Sequence, residues 1–138
     1  MGLLRVKIGL ANPFHRERQT SLEVLVDTGA LLSIIPGPHL RELGIEPQEQ
    51  RTFKLADGRE IERAVGEARF QYNSYAGTSK VVFGEEGDAV VMGVLALETL
   101  GLEVDPVNQQ LRRKLLELYP WAGHGFSRAD STQIEVGL

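Results

Sequence analysis

Short apolar runs punctuated by glycine constrain this chain more than any other feature. Its 138 residues include 15 glycines, and these sit between brief apolar stretches. Such punctuation favours strands and tight turns over long helices. Leu3 to Leu10 alternates, with Leu4, Val6, Ile8 and Leu10 on one face, the pattern of a half-buried strand. After a polar loop, "ANPFHRERQT", Leu22 to Val26 reads as a second strand, hairpin-paired with the first.

"SIIPGPHLRELGI" starts as a strand and becomes a short helix from about Pro38, stopped at Gly44. "RTFKLADGREIERAVG" reads as a hairpin around a tight two-residue turn at Asp57-Gly58. "EARFQYN" and "TSKVVFG" read as two more strands about a Ser-Tyr-Ala-Gly turn, followed by an acidic loop, "EEGD". "AVVMGVLALETLG" begins as a buried strand, switches at Gly93 to a short apolar helix and ends at Gly101. "LEVDPVNQQL" is a last hairpin turning over Asp105 to Asn108, and "RRKLLELYP" fits either an amphipathic helix or a strand. Tyr119 or Trp121 could anchor the tail on the body or on a partner. The expected fold is all-β, mainly strands with one or two short helices, in a small closed barrel or sandwich. One domain over 1–112 and a C-terminal tail over 113–138 are expected.

Bulk composition removes several function classes. A net charge of −4 with scattered basic residues gives no electrostatic support for nucleic-acid or membrane-surface binding. With no cysteine, disulfides, thiolate catalysis and Cys-ligated zinc are excluded, and a cytoplasmic location is compatible. His15, His39 and His124 form no H-x-x-x-H pair, so no metal site is expected. There is no G-x-S-x-G elbow and no phosphate-cradling loop. Arg5 and Lys7 interrupt the N-terminal apolar run, unlike a signal peptide.

What remains is "LEVLVDTGALLS", a strand that ends in a carboxylate, a hydroxyl and a glycine. Asp27-Thr28-Gly29 could be an ordinary Asx-type turn. Its apolar flanks make an unpaired charge costly there, with Thr28 and Ser33 as hydroxyl donors and Gly29 allowing close backbone approach. Hydrolysis by carboxylates alone needs two of them close enough to share one proton, one as base on water and one as acid on the carbonyl. The chain has a single such motif, so the second must come from another copy, which predicts a two-fold homodimer.

These segments together resemble the retropepsin-like aspartic proteases, clan AA, retroviral-type, and within them the small stand-alone microbial branch. "VLVDTGALLS" resembles the family's catalytic loop, "KLADGRE" falls where its flap hairpin lies, and "VVMGVLALETLGLEVDP" resembles its apolar-Gly segment with the following helix and strand. The resemblance covers roughly Leu3 to Leu111. It implies a homodimeric aspartic endopeptidase acting on a peptide or protein substrate, with no cofactor and no metal. Asp27 would be catalytic. Thr28, Gly29, Ala30 and Ser33 would support the active-site loop, with Thr28 bonding across the dimer axis. Ala56, Asp57 and Gly58 would form the flap tip, and Val91, Met92 and Gly93 would pack under the loop. The flap departs from viral relatives in carrying fewer glycines and a charged tip, and the C-terminal segment is longer. The alternative is a catalytically silent retropepsin-fold module for dimerisation or peptide binding.

Overall fold

The structure, a computed structural model, describes residues 4–118. The elements run β1 (Leu4–Asn12), β2 (His15–Val26), β3 (Ser33–Pro36), α1 (Gly37–Glu42), β4 (Glu49–Lys54), β5 (Glu60–Tyr72), β6 (Tyr75–Gly84), β7 (Val91–Met92), α2 (Val94–Leu100), β8 (Leu102–Asp105) and β9 (Gln110–Arg113). As expected, the fold is all-β with two short helices. In the main sheet the order is β1-β2-β7-β3-β6-β5-β4, and a further β1–β5 pairing closes a ring that leaves only β4 outside. β8 and β9 form a separate two-stranded sheet. Among the described residues, no helix is long and apolar enough to cross a membrane.

The alternation in β1 buries Val6, Ile8 and Leu10 inside the ring, because successive side chains point to opposite faces. They meet Val24, Ile35, Phe70, Val81 and Met92 in the main core cluster. Burying each such side chain contributes roughly 1.5–3 kcal/mol.

Three local expectations are corrected. The polar stretch after Leu10 is not a loop: the β1–β2 hairpin continues to Asn12 and resumes at His15, with a register shift between Ala11 and Asn12. The β2 arm is solvated there, so polar side chains do not oppose pairing. The turn is held by Asn12, whose Oδ1 accepts from the Phe14 and His15 amides at 2.9 and 3.2 Å. Second, the two expected strands around Gly66 are one strand of 13 residues, β5. Gly66 sits mid-strand because a Cβ there would meet the Glu46 carbonyl at 2.9 Å and the Phe83 ring at 3.0 Å. Third, the next turn is Asn73-Ser74, with Tyr72 paired to Tyr75. Asn73 takes a φ of 53°, a left-handed conformation that asparagine tolerates.

The helix stops fall where glycine allows them. Gly44 (φ 79°) follows α1, and Gly101 (φ 72°) ends α2 with its amide donating to the Glu98 carbonyl. The segment after β9 is neither helix nor strand through Leu118; its Lys114 amide donates to the Gly101 carbonyl at 2.8 Å. Tyr119, Trp121 and the rest of the tail lie outside the described residues.

Candidate active site

Asp27 stands at the C-terminal end of β2, where the strand runs parallel to β7 through Leu25–Val91 and Val26–Met92. The Leu25 amide donates to the Val90 carbonyl at 3.1 Å and the Asp27 amide to the Met92 carbonyl at 3.0 Å. The chain then turns: the Ala30 amide donates to the Asp27 carbonyl at 3.1 Å, and the Gly29 amide donates to Asp27 Oδ1 at 2.9 Å. The carboxylate is half-buried, and Thr28 and Gly29 are exposed. Among the described residues, the Gly29 amide is the side chain's hydrogen-bond donor, in place of the hydroxyls expected from Thr28 and Ser33.

Ser33 has a different task. Its buried Oγ accepts from the Gly93 amide at 2.9 Å. The loop's carbonyls in turn serve α2. Helix N-terminal amides have no intrahelical partners, and α2 has no side-chain cap. The Val94 amide donates to the Ala30 carbonyl at 2.8 Å and the Leu95 amide to the Leu31 carbonyl at 3.0 Å. Loop 27–33 is thus the backbone cap of α2. Gly93 is the contact point: a Cβ there would lie 2.8 Å from the Ala30 and Leu32 carbonyl oxygens. Val91 and Met92 are buried beside it.

A cavity of about 700 Å³ opens beside Asp27. One wall is Leu4 with Leu25 to Gly29; the other is Val104, Asp105, Pro106 and Gln109 from the β8–β9 turn. This second wall is not marked by the motif. Asp105 is a second carboxylate on the cavity but is committed to its turn. Its Oδ2 accepts from Asn108 Nδ2 at 2.8 Å, and Oδ1 accepts from the Asn108 and Val107 amides at 3.2 and 3.0 Å. The Asn108 side chain, followed by these amides, holds Asp105 below the usual carboxylate range. A locked anion of this kind is a poor proton-sharing partner for Asp27.

Ala56, Asp57 and Gly58 form the tip of the β4–β5 hairpin and are absent from the cavity wall. The turn is a three-residue loop, not the expected two-residue one. The Gly58 amide donates to the Leu55 carbonyl, the Leu55 amide to the Arg59 carbonyl, and Gly58 takes a φ of 91°. Asp57 is fastened to Arg59, whose amide and then guanidinium hold the carboxyl below its usual range.

A parallel strand pair in the closed all-β ring thus delivers Asp-Thr-Gly onto a Gly-led helix. A retropepsin-like aspartic protease from Rickettsia conorii is similar in structure at 15% identity, over 76% of this chain and 89% of that one, with a TM-score of 0.44. No protein-family model and no curated protein matches the chain.

Proposed function

We propose that the protein is an aspartic endopeptidase that works as a homodimer, with one Asp27 from each chain. The observation that carries this reading is the Asp27 carboxylate: half-buried at the edge of a large cavity, held among the described residues by the Gly29 amide, on a loop clamped to Gly93. The other carboxylate on that cavity is saturated by its own turn. A two-fold partner would bring a second Asp27 instead. The two would then share one proton, since like charges about 3 Å apart cannot both ionise. The ionised member takes a proton from water as the oxygen attacks the peptide carbonyl, while the protonated member donates to the carbonyl oxygen. Collapse of the tetrahedral intermediate breaks the C–N bond, and the leaving amine takes up a proton from the pair.

The test is a peptide-library cleavage assay at mildly acidic pH, with sedimentation alongside. Asp27→Asn keeps the dimer and lowers cleavage by at least about 100-fold, the ordinary range for loss of an acid–base group. Wild type that cleaves nothing, or a variant that cleaves equally well, overturns the proposal. Wild type that binds extended peptides without cleaving them supports the silent module instead.

A further inference from the structure

β5 leaves β6 at the Val65–Val82 pair, and from there to the tip residues 49–64 are a two-stranded ribbon. Besides the buried Ala64, which joins the main core, three contacts hold it to the body. Phe53 packs against the small apolar cluster of Leu32, Val65 and Val82. Lys80 reaches Glu49 at 3.4 Å, both about 40% exposed. Arg63 makes the third contact, and it is directional: Nε donates to Asp88 Oδ2 at 2.8 Å and Nη2 to Asp88 Oδ1 at 2.9 Å. Nη1 donates to the Glu62 carbonyl and lies 3.6 Å from Glu85. Asp88 Oδ2 also accepts from the Glu85 amide at 2.8 Å, which fixes the loop that carries it. Both side chains are mostly buried, at 15% and 21% exposure. A two-bond fork between a guanidinium and a carboxylate sets angle as well as distance, which an apolar contact or a single ammonium does not.

Asp88 lies two residues before Val90, whose carbonyl receives the Leu25 amide, and four before Met92, whose carbonyl receives the Asp27 amide. One short segment, 88–92, therefore grips the ribbon at one end and the Asp27 loop at the other. We infer that the Arg63–Asp88 fork is a positioning latch that fixes the pose of the 49–64 ribbon relative to the Asp27 loop. Its consequence for peptide binding rests on the protease reading above; the latch itself does not. Under that reading, Arg63 is a positioning residue that touches no reacting atom, and loosening it raises KM more than it lowers kcat.

Hydrogen exchange of the full chain, followed by mass spectrometry, tests the latch without any need for turnover. Arg63→Lys keeps the charge and loses the fork; Asp88→Asn keeps the shape and loses the charge. Each speeds exchange of the 49–64 amides by about tenfold or more, the scale of a charge-assisted bond, and leaves β1 at the wild-type rate. The double variant Arg63→Asp/Asp88→Arg restores part of the protection. Equal protection of 49–64 in wild type and both single variants overturns the latch. A uniform rise across β1 and β5 also overturns it, since that is general destabilisation. If wild type cleaves no peptide yet 49–64 loosens locally in the variants, the latch holds and only the protease reading falls.

Discussion

Loop 27–33 and ribbon 49–64 are built on opposite principles. The loop has few contacts with solvent-borne charge and many with backbone: two helix amides on its carbonyls, a buried serine on the Gly93 amide, and a glycine with no room for a methyl. The ribbon has an ordinary ladder of its own, and is fastened to the body by Phe53, by the buried Ala64 and by a few charged side chains. The first arrangement holds a carboxylate still. The second leaves Ala56 to Arg59 exposed, and elements with few buried contacts open at low free energy. Under the proposed protease reading, that pairing would suit a site that admits an extended chain and then closes on it.

The contrast breaks most readily at Gly93. Gly93→Ala places a methyl against the backbone oxygens of Ala30 and Leu32, and the Ala30 carbonyl cannot move without releasing the Val94 amide of α2. A loss of about 3 kcal/mol in denaturant unfolding is expected, the upper part of the usual range for overpacking; a loss near zero would show that the loop is not clamped. Ser33→Ala is milder. It leaves the buried Gly93 amide without its acceptor and costs about 2 kcal/mol by the same measurement. Ser33→Ala leaves the relative exchange of the ribbon amides unchanged, and selective loosening of 49–64 in that variant would erase the distinction between the two regions.

Much of the barrel was legible because its causes are local. Period-two alternation marks β1, and glycine at the ends of both helices marks their stops. The switch from β7 to α2 at Gly93 is likewise written in a few adjacent residues. What escaped depends on partners far apart in sequence. Ser33 reads as a donor for the adjacent carboxylate, yet its hydroxyl serves an amide 60 residues away. The Arg63–Asp88 fork joins residues 25 apart, and an arginine in an exposed-looking strand and an aspartate in an acidic loop carry no pattern of their own. The unbroken course of β5 through Gly66 was hidden because glycine there answers to the Glu46 carbonyl and the Phe83 ring, not to a turn. The cavity wall at Val104 to Gln109 comes from a hairpin that alone looks like any Asp-Pro turn.

The smallest effect is the acid response of the latch. The Arg63 guanidinium, ahead of the Glu85 amide, holds the Asp88 carboxyl below its ordinary value, while partial burial opposes it; Asp88 in turn raises Arg63. A carboxyl lowered by folding adds stability that is fully present above its unfolded pKa, about 3.9, and is lost as pH falls through the lower folded value. Arg63 stays charged throughout, and Glu85 is the other titrating group facing it. The thermal midpoint of wild type should therefore exceed that of Asp88→Asn by a constant margin from neutrality down to about pH 5 and by a shrinking one below about pH 4. Because the variant cannot ionise at this position, the difference isolates Asp88 from the other carboxylates. A margin that survives unchanged well below pH 3 would mean that Asp88 stabilises the ribbon through shape and not charge. The ribbon would then be held by packing, as the loop is, and the contrast between the two regions would be one of degree.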